Sequence, residues 1–135
     1  MNNPLQNVRI LAIDDDNDTR EMLRYILEQA GGEVTAVESV KQALESFQNS
    51  PPDVIVSDIG MPEYNGYALI SLIRASDERL GRKTPAIALT AYTSPADEKT
   101  ALASGFQKYI GKPFGPRELI ESIRALLPAK AGERT

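Results

Sequence analysis

The chain contains no cysteine and no histidine. Without cysteine there is no disulfide, no thiolate nucleophile and no cysteine-based zinc site. Without histidine the commonest general base and the imidazole metal ligand are both missing. Any chemistry must run on Asp, Glu, Lys, Ser, Thr, Tyr and the backbone. A bound cation would have oxygen ligands, which suit a hard ion such as Mg²⁺, Mn²⁺ or Ca²⁺. Long apolar runs are absent too, since no stretch approaches the ~18 residues of a membrane span. The N-terminal MNNPLQN has no basic region followed by an apolar one. It is therefore not a secretory signal, and a cytoplasmic protein without a membrane partner is expected. Nor is there a surplus of positive charge: the formal net charge of −4 leaves no footprint for nucleic acid.

What is present suits one soluble globular domain. The 135 residues are 41% hydrophobic and 25% charged, enough to bury a core without covalent staples. The unusual stretch is LAIDDDNDTR at residues 11–20, where an apolar run meets Asp14, Asp15, Asp16 and Asp18. Two carboxylates about 4 Å apart repel by about 4 kcal/mol at an effective dielectric of ~20. A cation, a hydrogen-bond network or solvent must relieve that repulsion. The alternation Asp14-x-Asp16-x-Asp18 superficially resembles a calcium loop. Such a loop requires Gly at its sixth position and Glu at its twelfth, and here those places hold Thr19 and Tyr25.

The hydrophobic pattern alternates strand and helix. VRILAI (8–13), EVTAV (33–37), VIVSD (54–58), AIALTA after Pro85, and QKYI (107–110) read as strands. A helix from Asn17 carries Met22, Leu23, Ile26, Leu27 and Ala30 on one face and stops at Gly31-Gly32. Ser39, with Gln42 in the capping-box position, opens a second helix bearing Val40, Ala43, Leu44 and Phe47. Leu69, Ile70, Leu72 and Ile73 mark a third over 67–75. Ser94-Pro95 opens a fourth that Gly105 ends. Pro116 opens the fifth, with Leu119, Ile120, Ile123, Leu126 and Leu127 on one face, and residues 128–135 read as a frayed tail.

Five β-α units with short connections imply an α/β fold, a doubly wound parallel sheet with helices on both faces. Ligands of such sheets lie beyond the carboxyl ends of the strands. The candidate site is therefore Asp14-Asp15 after strand one, Asp58 at the end of strand three, Thr90 at the end of strand four, and Lys112 after strand five. Each has an ordinary alternative. Asp16 and Asp18 suit a helix N-terminus, with Asp16 or Asn17 as the cap. Thr90 alone would be a polar strand end, Lys112 a surface charge, and Tyr109 a snorkelling aromatic. Asp58 is costly inside a strand and cheap at a strand end facing water; opposite Asp14 and Asp15 it reads as functional.

Taken in order, Asp14-Asp15, Asp58 in SDIGMPEYNGY, Thr90-Ala91 in ALTAY, Tyr109 in KYI, and Lys112-Pro113 in GKPF resemble the receiver domain of two-component response regulators. The resemblance spans about residues 7–127 of a single domain 1–135. It implies a flavodoxin-like strand order 2-1-3-4-5, which sets strand one beside strand three. By the same resemblance Asp58 is the phosphoacceptor of a phosphorelay, fed by a histidine kinase or phosphotransfer protein. Asp14, Asp15, Asp58 and the Gly60 carbonyl would hold Mg²⁺, with Mn²⁺ as a substitute. Thr90 and Lys112 would contact the phosphoryl oxygens, and Thr90 and Tyr109 would be the switch. A downstream protein or a second copy would dock on the residues 94–125 face. The Lys112-Pro113 bond is expected cis. The chain would catalyse its own phosphorylation and dephosphorylation rather than turn over a substrate.

Gly60, Asn65, Tyr92 and Gly115 depart from the commonest pattern. By the resemblance, Gly60 and Tyr92 would bear on how long the phosphoryl group survives, and Gly115 replaces an acidic cap. Competing readings fit less well. A dehalogenase-type phosphatase needs Thr or Val two residues after its second Asp, and no pair among Asp14, Asp15, Asp16 and Asp18 supplies it. A flavin module needs a Ser/Thr/Gly phosphate loop after strand one, where four acids would repel phosphate. A docking-only receiver would not need the complete residue set. A stand-alone regulator and a receiver of a hybrid sensor kinase both remain compatible with the residues.

Overall fold

The computed structural model describes residues 3–59, 66–91 and 94–127. Strands and helices alternate as β1 (Arg9–Ile13), α1 (Asn17–Gln29), β2 (Glu33–Val37), α2 (Val40–Asn49), β3 (Val54–Asp58), α3 (Gly66–Leu80), β4 (Ala86–Thr90), α4 (Pro95–Ser104), β5 (Lys108–Gly111) and α5 (Pro116–Leu126). The sheet runs β2-β1-β3-β4-β5 with every pair parallel. The expected 2-1-3-4-5 order is therefore the observed one.

The central strands are apolar on both faces because both faces are covered. Every residue of β3 and of β4 is buried. Side chains alternate across the sheet. Leu11, Ile13, Ile55, Ala86 and Ala88 pack with Phe47, Leu69, Ile70, Ile73 and Ala101 of α2, α3 and α4. Ile10, Ala12, Val54, Val56, Ile87 and Leu89 pack with Leu23, Leu27, Leu119 and Ile123 of α1 and α5. Each such Leu, Ile or Phe contributes about 1.5–3 kcal/mol by leaving water. Packing begins ahead of β1: Leu5 is fully buried, and its amide donates to the Ala30 carbonyl.

Local signals explain the helix ends. Asp16 caps α1 by accepting from the Thr19 amide. Ser39 caps α2 through the Gln42 amide, while the Gln42 side chain accepts from Glu38 rather than from Ser39 itself. Ser94 and Pro95 open α4, and Gly105 closes it at φ +126, a conformation that suits glycine. Gly115 gives α5 no side-chain cap, as expected.

Some boundaries and faces differ from the sequence expectation. Helix α3 runs to Leu80, beyond residue 75, because Arg74 and Asp77 continue it with polar partners that carry no apolar period. Strand β5 begins at Lys108 and ends at Gly111, one residue later than QKYI, because Gly111 pairs with Thr90. Met22 and Leu72, expected on apolar faces, are both about half exposed, at the margins of stripes centred on Leu23/Leu27 and Leu69/Ile73. Helix α4 is thinner still. On its apolar side Ala101 is buried, while Ala96 and Leu102 are exposed.

Candidate functional site

The strand order sets the ends of β1, β3, β4 and β5 side by side. Ile13 pairs with Ser57, Asp58 with Leu89, and Thr90 with Gly111. The chain therefore leaves β1 at Asp14 next to Asp58, and leaves β5 at Lys112 next to Thr90. The Lys112 amide donates to the Thr90 carbonyl at 2.7 Å, and the Lys112-Pro113 bond is cis.

Three carboxylates meet there. Asp14, Asp15 and Asp58 each offer an oxygen, and all three oxygens lie within 4.8 Å of one another. Their environments differ. Asp14 is fully buried and Asp58 nearly so, whereas Asp15 is exposed. The expected water-facing position of Asp58 is thus corrected: the residue is buried at the end of β3. Asp14 is held on both oxygens, Oδ1 by the Asp16 amide at 2.9 Å and Oδ2 by Lys112 Nζ at 2.8 Å. The same ammonium lies 3.8 Å from Asp58 Oδ1. Lys112 is therefore closer to Asp14 than to the acid it was expected to serve. Among the described residues the Lys112 ammonium is shared between Asp14 and Asp58. An all-oxygen, all-carboxylate donor set this compact fits a hard divalent cation.

Thr90 is buried at the end of β4, and Tyr109 lies on β5 packed against the cluster that holds Ala101. The Tyr109 hydroxyl is buried and has no hydrogen-bond partner among the described residues. It does not snorkel. Burial pushes its pKa up, with Asp97, Tyr67 and Glu98 adding to the rise. Tyr67 on α3 is raised in the same direction, by burial and then by Asp97. Asp16 stays outside the acidic set as the cap of α1. Its pKa lies below 3.8 because the Thr19 hydroxyl and amide both donate to it. Gly60, Asn65 and Tyr92 lie outside the described residues.

The model of the response regulator receiver domain matches residues 10–124. The chain belongs to that family. This receiver domain is 43% identical to an uncharacterized 14.6 kDa protein of Leptolyngbya boryana over 89% of this chain and 90% of that one. It is 37% identical to the transcriptional regulatory protein GltR of Pseudomonas aeruginosa, covering 87% of this chain and 48% of that protein. It thus spans about half the length of the transcriptional regulators it matches. Among solved structures, the chemotaxis response regulator CheY4 of Vibrio cholerae superimposes with a TM-score of 0.81 at 32% identity, over 89% of this chain and 98% of that one. The receiver domain is a signalling domain rather than an enzyme of the usual kind. None of its described helices is long and apolar enough to cross a membrane.

Two groups near the strand ends escaped the sequence reading. Arg20 reaches back from α1 to the Asp14 carbonyl. At the far end of the sheet, Arg74 joins α3 to the Gly105 and Thr84 carbonyls. A basic residue in the first turns of a helix is unfavourable to the helix dipole, and that is a signal Arg20 does carry.

Proposed function

We propose that Asp58 is the phosphoacceptor of this receiver and that Asp14, Asp15 and Asp58, with the Gly60 carbonyl, hold Mg²⁺, for which Mn²⁺ can substitute. The observation that carries the reading is the enclosed Asp58 carboxylate, with two further acids within 4.8 Å and an ammonium at 3.8 Å. When bound, the ion offsets the charge of the acids and of an incoming phosphoryl group. An Asp58 carboxylate oxygen attacks phosphorus. The P–N bond of a phosphohistidine donor breaks, and the leaving nitrogen keeps the electron pair. Lys112 and the Thr90 hydroxyl stabilise charge on the transferring oxygens. The donor is a histidine kinase or a phosphotransfer protein, in keeping with a chain that has no histidine of its own. Hydrolysis of the acyl phosphate is catalysed by the same site, so the domain resets itself and turns over no other substrate. The reading places the domain in the cytoplasm.

Phosphorylation takes Asp58 from one negative charge to about two and adds acceptor oxygens. Thr90 moves to donate to one of them, and Tyr109 occupies the space beside β4. The buried Tyr109 hydroxyl fits an inward position of the ring, and the proposed change is a shift between two existing states. The output face is residues 94–125, where α4 is the least firmly packed helix. A downstream protein or a second copy docks there.

The test is intact mass after treatment with a small phosphodonor, with and without Mg²⁺. One phosphoryl group is expected on the wild type only with the ion, and none on Asp58→Asn. Labelling that survives Asp58→Asn places the acceptor elsewhere.

A further inference from the structure

We infer that Arg20 is a positioning residue for the cation site, acting on the Asp14–Asp15 peptide rather than on any carboxylate. This inference rests on the cation reading above.

Asp15 is the least supported member of the acidic trio. Asp14 is buried and held on both carboxylate oxygens. Asp58 ends a strand that is hydrogen-bonded on both sides. Asp15 is exposed, sits just past β1 in a bend, and makes no side-chain hydrogen bond or ion pair among the described residues. Its direction is set by its backbone alone. The peptide that carries it begins at the Asp14 carbonyl, and Arg20 Nη1 donates to that carbonyl at 2.9 Å. The other arm of the fork, Nη2, donates to Asn17 Oδ1 at 2.9 Å. The Arg20 amide donates to the Asp16 carbonyl in the first turn of α1. One planar guanidinium therefore ties the end of β1 to the start of α1 across the turn that presents Asp15. Meanwhile the Asp14 amide donates to the Val37 carbonyl, so the peptide before the turn is fixed from β2.

Arg20 stands where a positive charge is disfavoured by the helix dipole. Three carboxylates lie close by, yet among the described residues the guanidinium makes no ion pair; it spends its donors on a carbonyl and an amide oxygen. Arginine suits this task because its rigid fork holds two acceptors in one plane, which a lysine ammonium cannot do. Groups that orient ligands from behind commonly change metal affinity by 10–100-fold when removed.

The sign of the effect separates positioning from plain electrostatics. A nearby cation repels Mg²⁺, so if charge were all that Arg20 contributed, Arg20→Met would bind Mg²⁺ more tightly and Arg20→Lys would match the wild type. Positioning requires both to bind more weakly, by about tenfold. The experiment is a Mg²⁺ titration of the full chain followed by amide chemical shifts, with thermal unfolding in the absence of Mg²⁺ alongside. Weaker binding in Arg20→Lys at an unchanged unfolding temperature supports the inference. Binding that is equal or tighter overturns it. Where Arg20→Met does not fold, Arg20→Lys decides, and Asn17→Ala gives a second measure. It removes one acceptor of the fork, leaves the charge in place, and should weaken Mg²⁺ by a smaller factor; unchanged binding there counts against the fork. A wild type that shows no Mg²⁺ shifts at Asp14, Asp15 and Asp58 overturns the cation reading itself, a different outcome from variants that bind as the wild type does.

Discussion

The two ends of the sheet each set a half-buried cation against a buried carboxylate, and they do it in opposite ways. At the amino end of β4 and β5, Arg74 is saturated. Nη1 donates to Asp77 Oδ2 at 2.8 Å and to the Thr84 carbonyl. Nε and Nη2 donate to the Gly105 carbonyl, and Nη2 also to Gln107 Oε1. Asp77 accepts from the Thr84 amide and hydroxyl, and Gln107 accepts from the Ala86 amide. One guanidinium meets one carboxylate, and nearly every donor has a partner. At the carboxyl end, among the described residues, the Lys112 ammonium faces Asp14 and Asp58, with an Asp15 oxygen within 4.8 Å of theirs. The first arrangement is closed and holds α3, the α4 terminus and β5 together. The second is more open and crowds three carboxylates in a partly enclosed place, where the proposed cation would offset their charge. Burial of charge alone does not distinguish structure from function here. The crowding of like charge is what marks the proposed site.

That contrast predicts effects of opposite sign. Asp77→Ala removes the only carboxylate of the closed network and strands the Thr84 amide and hydroxyl, so urea unfolding should show a loss of about 3 kcal/mol. Asp58→Asn removes one of three crowded charges, so it should gain about 1 kcal/mol while phosphorylation is lost. A destabilised Asp58→Asn would mean that the open site is already compensated and that the comparison fails.

Lys112→Ala sharpens the open end. The buried Asp14 loses its 2.8 Å donor, and stability should fall by about 2 kcal/mol in the absence of divalent ions. Mg²⁺ should restore it: an ion at a hundred times its Kd adds about 2.7 kcal/mol, and removing the ammonium tightens binding further. Unfolding midpoints with and without Mg²⁺ check this, and a variant that Mg²⁺ does not rescue would separate Lys112 from the cation site.

Tyr109 lies between the two ends and tests a smaller term. Its buried hydroxyl has no partner among the described residues. Tyr109→Phe deletes that unsatisfied group and should stabilise the fold by about 1 kcal/mol. The raised hydroxyl pKa gives a pH signature. A tyrosine whose folded pKa lies above 10 leaves stability untouched below pH 10 and costs stability as pH rises from there through the folded value. Loss of alkaline stability should therefore be milder in Tyr109→Phe. Equal alkaline unfolding curves would show that the hydroxyl is not confined.

Much of this was legible in the residues, and the illegible part has a common cause. The β-α alternation, the caps at Ser39 and Ser94, and the stop at Gly105 are local signals that survive in one dimension. The convergence of Asp14, Asp58, Thr90 and Lys112 followed once a parallel sheet was assigned, because strand ends are a property of topology. The family resemblance supplied the strand order. What could not be read were long-range polar pairings. Arg74 to Gly105 spans 31 residues, and Lys112 to Asp14 spans 98. No spacing rule encodes either. The extension of α3 to Leu80 was missed for the same reason, since Asp77 is buried by a partner at Thr84 rather than by an apolar period.

Asp16 gives the comparison a third case, an acid satisfied locally and left in solvent. Its Oδ2 accepts from the Thr19 hydroxyl at 2.7 Å and from the Thr19 amide at 2.8 Å. The hydroxyl is the larger cause of its lowered pKa, ahead of the amide, with Lys112 and Arg20 contributing less. Because the folded pKa is depressed, the stabilisation is present above the unfolded value and is lost as pH falls through the folded one. Thr19→Val keeps the shape and the backbone donor but removes the hydroxyl. The Asp16 pKa should then rise toward 3.8 without reaching it, because the amide bond remains. A carboxyl-carbon NMR titration of wild type and Thr19→Val reads this directly. Mg²⁺ should leave the Asp16 titration nearly unchanged while it broadens or shifts the signals of Asp14, Asp15 and Asp58. If Asp16 instead responds to Mg²⁺ as strongly as those three, the division between capping acid and site acid is wrong, and the acidic run after β1 works as a single cluster.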